Sequence, residues 1–317
     1  MIPENSIRAA RELLRGVTHV TPVLTSRALN TQADATLWFK AENLQKTGSF
    51  KARGAYVRVH AAASAPPVAS LVTASSGNHG QAVAWAARAH GLPAHIVVPT
   101  TAAEAKVAAA LAYGATVERA GTQSRDRLAR AADLAQQPGW IYIPPYDDDL
   151  VMSGQATVGA EILDQVSLFD TVVVPIGGGG LIAGVASAVK AAHPDVAVIG
   201  VEPEGAASSF MSRQAGSRVE LPSGLSIADG LTTVLPGART FPIIQEAVDR
   251  LVTVSDASIL SAMALLMTRL KTVIEPSGAA AAAWALGDDQ PLRGRRAVVI
   301  LSGGNIDPER LSRLFRT

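Results

Sequence analysis

Short runs of β-branched and apolar residues ending in Gly or Pro alternate along this chain with longer, alanine-rich stretches, and that alternation leaves few folds open. The runs are Ser70 to Thr73, Ala94 to Val98, Thr116 to Arg119, Thr171 to Pro175, Val196 to Val201 and Ala297 to Leu301. Between them apolar residues recur at a spacing of about 3.6, as at Ala82, Trp85, Ala86 and Ala89 after the turn Gly77-Asn78-His79-Gly80. Strands alternating with helices in this way predict an α/β fold of mostly parallel sheets flanked by helices. At 317 residues and 48% hydrophobic, the chain has material for one large domain or two lobes.

Charge narrows the partners. Its 28 basic and 27 acidic residues are scattered and leave a formal net charge of +1, so no footprint for nucleic acid or an anionic membrane is present and a small-molecule substrate is expected. The absence of cysteine removes disulfides, thiolate nucleophiles and thiolate-bound zinc, and the six histidines form no HExxH pair. The N-terminal stretch reads as an amphipathic helix, lacking the apolar run and cleavage site of a signal peptide, so cytoplasmic residence is expected. The longest apolar stretch, Ala279 to Leu286, is far shorter than the roughly 20 residues a membrane-spanning helix needs. Ala65 to Pro67 and Pro144 to Asp149 read as exposed crossings, no repeat of solenoid period occurs, and no separate regulatory domain is expected after the last strand.

Four segments carry the chemistry. In the first, Thr47-Gly48-Ser49 leads into a helix that begins near Lys51, with Ser49 expected as its N-cap. A lysine at a helix start, short of solvent and facing the positive end of the dipole, has a lowered pKa and suits Schiff-base chemistry. Lys40 and Lys46 are expected to be ordinary solvated lysines. The second segment, Thr73 to Gln81, places Ser75, Ser76, Gly77, Asn78 and His79 between a strand and a helix, where amides and hydroxyls converge on an anion such as a substrate carboxylate. An ordinary capped turn remains the alternative there.

In the third segment Gly177, Gly178, Gly179 and Gly180 follow the strand that ends at Pro175 and precede a helix. Consecutive glycines allow positive φ and close backbone approach, so their N–H groups can cradle a phosphate. Gly178-x-Gly180-x-x-Ala183, followed by a strand and Glu202, also imitates a dinucleotide fingerprint, which keeps a nucleotide-binding dehydrogenase open. The fourth segment presents Ser302 beside Gly303 and Gly304 at the end of a buried strand, where ligands of open α/β sheets sit.

In this order and at these separations, the four segments resemble the fold-type II pyridoxal-phosphate enzymes of the tryptophan synthase β type, in the branch of serine/threonine dehydratases (threonine ammonia-lyases) and serine racemases. Thr21-Pro22, Met152-Ser153-Gly154-Gln155, Ile227-Ala228-Asp229-Gly230 and Ile274-Glu275-Pro276-Ser277-Gly278 extend the likeness over essentially the whole chain. The resemblance implies a large cofactor-binding domain, 1–50 and 147–317, with a small α/β domain, 51–146, inserted in it. It assigns Lys51 as the Schiff-base lysine and acceptor of the α-proton, with Phe50 against the pyridine ring. Asn78 would meet the phenolate oxygen, Gly177 to Gly180 the phosphate and Ser302 the ring nitrogen, with Glu275 nearby. Ser75, Asn78 and His79 would hold the substrate carboxylate, and Ser76 would be the acid or base on the opposite face.

The activity implied is elimination of water from a β-hydroxy amino acid such as L-threonine or L-serine, giving a 2-oxo acid and ammonia. Serine racemase-type activity and dehydration of 3-hydroxyaspartate or a 3-aryl serine stay open, as does a cofactor-binding protein without catalysis. Arg125 is a candidate for a second carboxylate, against the ordinary reading of an exposed arginine. Homodimerisation is a family expectation. The chain departs from the racemase pattern twice. Glu202, Ala206 and Ser208 stand where some relatives hold a divalent ion with an Asp, which favours a monovalent cation such as potassium. Tyr146 stands where racemases place an asparagine.

Overall fold

The computed structural model describes residues 1–65, 67–75, 77–102, 104–122 and 124–316, without the side chains of 105, 106 and 124. Among the described residues ten strands form two sheets: β1 (Val23–Leu24), β2 (Thr36–Ala41), β3 (Ser70–Ala74), β4 (Ala94–Val98), β5 (Thr116–Arg119), β6 (Trp140–Tyr142), β7 (Thr171–Pro175), β8 (Ala197–Pro203), β9 (Arg250–Val254) and β10 (Arg296–Leu301). The larger sheet runs β1-β2-β10-β7-β8-β9 and the smaller β5-β4-β3-β6. Every pairing is parallel except β1 with β2. The α/β architecture is therefore as expected, and the strands of the small sheet all fall within the segment 51–146 proposed as the inserted domain.

Parallel strands joined by helical crossovers are covered on both faces, so their side chains are apolar on both. Val172, Val174, Val198, Val298 and Ile300 enter one core with Ile162 and Ile182 from the flanking helices. The alternate residues Val173, Val201, Val299 and Leu301 enter the other with Phe39 and Met263. The parallel pairing of β7 with β10 points their carboxyl ends to the same edge, where the glycine run and Ser302 follow.

One expectation needs correcting. Pro144 to Asp148 is half-buried and only Asp149 is exposed, so the segment is not an exposed crossing; Asp148 caps the helix Asp149–Gln165, and Asp147 accepts the N–H groups of Ala238 and Arg239. Ala65 and Pro67 are exposed, and Pro66 lies outside the described residues. Strands β1, β2, β6 and β9 were not expected from their short and partly polar sequences. No helix among the described residues is long and apolar enough to cross a membrane.

Candidate active site

The Lys51 helix (Lys51–Ala63) starts one residue later than a Ser49 cap requires. Ser49 is extended, at φ −162° and ψ 161°, and bridges to Gly303, while the N–H of Phe50 donates to the carbonyl of Ser302 at 3.1 Å. Sheet-like pairing thus persists to residue 50, Phe50 takes the cap position, and the buried Ser49 hydroxyl has no partner among the described residues. Lys51 follows immediately. Its Nζ donates to the carbonyl of Pro145 at 2.6 Å and stands 5.1 Å from the centre of the Phe50 ring. Burial lowers its pKa to about 8, because the ammonium loses more hydration than one carbonyl returns.

The other segments close around this amine. Asn78 opens the helix Asn78–Ala89 with Nδ2 donating to Glu275 Oε1 at 2.6 Å, and its Oδ1 accepts from Asn305 at 2.8 Å. Ser75 Oγ accepts from the N–H of Gly77 at 3.3 Å. His79 is buried, and burial together with the Lys51 charge lowers its pKa to about 3, so the ring is neutral. Its Nε2 faces the Ile143 carbonyl at 3.0 Å and carries the proton, which leaves Nδ1 an acceptor only. The imidazole therefore has no hydrogen to give a carboxylate. The N–H of His79 remains a candidate, since a helix offers its first amides no internal partner. Ser76 lies outside the described residues.

Gly177 to Gly180 join β7 to the helix Gly180–Ala192, with Gly179 at φ +94°. A methyl group on Gly178 would overlap the Tyr146 ring, so this loop exists in its present form only without side chains. Thr240 Oγ1 and the N–H of Gly237 both donate to the Gly178 carbonyl, at 2.7 and 3.3 Å, which holds that peptide in place. Ser302 is buried at the end of β10, and among the described residues its hydroxyl makes one long hydrogen bond, 3.5 Å, to the Ser277 carbonyl. That hydroxyl is available to a ring nitrogen. The weakly held Ser302, the side-chain-free cradle and the dehydrated amine fit pyridoxal phosphate.

Lys40 is not a solvated lysine. It is wholly buried on β2, donating to Glu161 at 2.6 Å, to Gln165 at 2.8 Å and to the Thr21 carbonyl at 2.8 Å. Glu161 is shared with Arg53, two residues beyond Lys51, whose Nη1 approaches it to 2.6 Å and whose Nε and Nη2 each reach Glu42 at 2.8 Å. Two cations and two carboxylates thus balance beneath the Lys51 helix. Burial alone would raise the Glu42 pKa, but the Arg53 guanidinium, the Lys40 ammonium and the Thr21 hydroxyl together outweigh it and hold the carboxyl below its usual range. Burial likewise lowers Lys40, against the pull of Glu42 and Glu161. Lys46 is half exposed.

Glu202 is buried at the end of β8, where its carboxylate accepts the N–H groups of Ser209 and Phe210 at 2.9 and 2.7 Å. Burial raises its pKa to about 7. Ala206 is buried beside it in sequence, and the buried Ser208 hydroxyl has no partner among the described residues. Arg125 is exposed, and among the described residues it approaches Asp126 at 3.8 Å.

Pro145, Thr233 and Asn305 join the site without having been singled out. Thr233 Oγ1 faces the glycine loop, 3.4 Å from where a Cβ on Gly177 would sit. Asn305 had a signal, as the last residue of the Ser302-Gly303-Gly304-Asn305 run. Pro145 contributes a carbonyl, which no side-chain pattern reveals.

The model of the family described as pyridoxal-phosphate dependent enzyme matches residues 14–303. An L-threo-3-hydroxyaspartate ammonia-lyase from Pseudomonas sp is 43% identical over 97% of this chain and 96% of its own length. Among solved structures, maize serine racemase superposes with a TM-score of 0.92 at 38% identity, covering 98% of this chain and 95% of its own. A threonine deaminase from T.th. superposes with a TM-score of 0.90 at 42% identity, covering 96% and 98%.

Proposed function

This chain belongs to the pyridoxal-phosphate dependent enzymes, and on that footing we propose that it is an ammonia-lyase removing water from a β-hydroxy amino acid to leave a 2-oxo acid and ammonia. The observation that carries this reading is the half-buried Lys51 amine, at a helix start and flanked by the Asn78 turn, the glycine cradle and the buried Ser302. Bound pyridoxal phosphate would supply the electron sink that makes the α-hydrogen of a joined amino acid acidic. The chain's own residues do the rest. Lys51, with its pKa lowered to about 8 by burial, has a substantial neutral fraction near that pH and accepts the α-proton on Nζ. Ser302 meets the ring nitrogen with a neutral hydroxyl, which does not hold a proton there as a carboxylate would. The amides of Gly177 to Gly180 hold the phosphate at the start of a helix, and Phe50 lines the ring. Ser75 and the N–H groups of Asn78 and His79 receive the substrate carboxylate.

The likeness to a hydroxyaspartate ammonia-lyase puts L-threo-3-hydroxyaspartate beside L-threonine, L-serine and 3-phenylserine as the substrates to compare, in both stereoisomers. Equimolar 2-oxo acid and ammonia are expected from at least one of them. Inversion at the α-carbon without ammonia, in line with the likeness to a serine racemase, would favour the racemase reading instead. No turnover of any, with cofactor bound, would leave a non-catalytic binding protein.

Gly178→Ala is expected to push the Tyr146 ring aside and weaken pyridoxal phosphate binding by at least about tenfold, since a well-packed site has no room for an added methyl. Fluorescence titration of the apoprotein measures it. The oxygens of Glu202, Ala206 and Ser208 suit a potassium-like ion, supported by the unpartnered Ser208 hydroxyl. Exchange into buffer free of potassium, sodium and divalent ions is then expected to lower both activity and melting temperature, and unchanged values would remove the ion from the reading. Homodimeric assembly belongs to the same reading and rests on the family.

A further inference from the structure

A chain of amides runs behind the cofactor pocket with a polarity that its two ends dictate. At one end the Thr47 carbonyl, just before the Lys51 helix, can only accept; at the other the Glu275 carboxylate accepts. Between them Asn305 Nδ2 gives one hydrogen to Thr47 at 2.7 Å and the other to Asn78 Oδ1 at 2.8 Å. Asn78 Nδ2 then gives one hydrogen to Glu275 at 2.6 Å and keeps its second. Reversing either amide would set oxygen against oxygen at an end of the chain. The fit is close: a Cβ on Gly48 would overlap the Asn305 carboxamide, and one on Gly303 would overlap Glu275.

We propose that Asn305 is a positioning residue, fixing the Asn78 carboxamide so that it turns an N–H, and never its carbonyl oxygen, toward the ring oxygen of pyridoxal phosphate. This rests on the proposed function, and specifically on Asn78 meeting that oxygen. Asn305→Asp replaces the donor by an acceptor, so the Asn78 amide then faces an acceptor on both sides and is no longer fixed in one orientation. Asn305→Ala removes the constraint and leaves Glu275 as the only guide.

The test loads the full chain with pyridoxal phosphate and compares N305D, N305A, N78A and the double variant N78A/N305D. Losing a hydrogen bond to a charged oxygen is expected to weaken cofactor binding about 10- to 100-fold in N305D, and to lower the ratio of its long- to its short-wavelength absorption by about tenfold. The shift in N305A has the same sign and is smaller, about threefold, and it carries the test should N305D fail to fold. In the N78A background N305D is expected to add less than about twofold, because its effect passes through Asn78. A structural role alone would lower the apoprotein melting temperature, leave the absorption ratio unchanged and act equally in both backgrounds, and that outcome overturns the proposal. Borohydride labelling of wild-type Lys51 separates the two failures. No label sinks the proposed function, whereas normal labelling with an unchanged ratio in N305D and N305A sinks the role of Asn305.

Discussion

Replacing Lys51 by alanine is expected to lower turnover by at least about 10³-fold, since one nitrogen serves as covalent anchor and as general base. The cofactor's visible absorption and the borohydride-stable label at residue 51 should disappear together. Lys46→Ala, at a half-exposed lysine five positions earlier, should leave both intact. The same amine predicts a pH dependence in the apoprotein. Only the neutral form attacks an acylating reagent, and burial favours that form, so labelling of Lys51 should rise with pH through a midpoint near 8, well below the ordinary lysine value of 10.5. Peptide mapping after brief acylation at a series of pH values reads this directly. A midpoint at the ordinary value would mean that the amine is as hydrated as a surface lysine, and the chemistry assigned to it would lose its physical basis.

The second large effect lies under the site. Arg53→Ala would leave the buried carboxylates of Glu42 and Glu161 facing a single cation, Lys40. Breaking a buried pair by removing one partner costs about 3–5 kcal/mol, so a fall in melting temperature on the order of 10 °C is expected. Arg53→Lys restores the charge without the fork that binds Glu42 through two nitrogens, and should recover only part of the loss. The sign with pH follows from Glu42. Its pKa in the folded chain lies below the unfolded value, so its share of the stability is complete above the ordinary carboxylate range and is lost as pH falls through the depressed value. Arg53→Ala should flatten that acid limb in a denaturation series. A variant as stable as the wild type across pH would show that neighbouring groups or water compensate the cluster.

This cluster also explains a misreading. Lys40 lies in a run, Thr36 to Ala41, that becomes an interior strand between β1 and β10, but a lysine one residue from the strand's end reads as its exposed limit. Its three acceptors come from residues 19 to 125 positions away. Burial of a charge depends on such partners, and composition carries no trace of them.

Local order decided what could be read from the residues in a row. A parallel strand, a glycine or serine turn and a helix start are consecutive by necessity, so the glycine cradle after β7, the Asn78 turn after β3 and Ser302 after β10 were legible, as was the alternation that makes the sheets parallel. Lys51 was legible for the same reason, as a lysine at a helix start. Tertiary packing decided the rest. It set Tyr146 against Gly178, sent the His79 imidazole to the Ile143 carbonyl instead of leaving it a donor for a carboxylate, and moved the Lys51 helix start past Ser49 by pairing that residue with Gly303. It also joined Asn305 to Asn78 and Asn78 to Glu275 across 227 and 197 residues. The physical reason is range: φ/ψ preference and periodicity act over a few neighbours, whereas desolvation and hydrogen-bond direction are set by whatever the folded chain brings within about 3 Å.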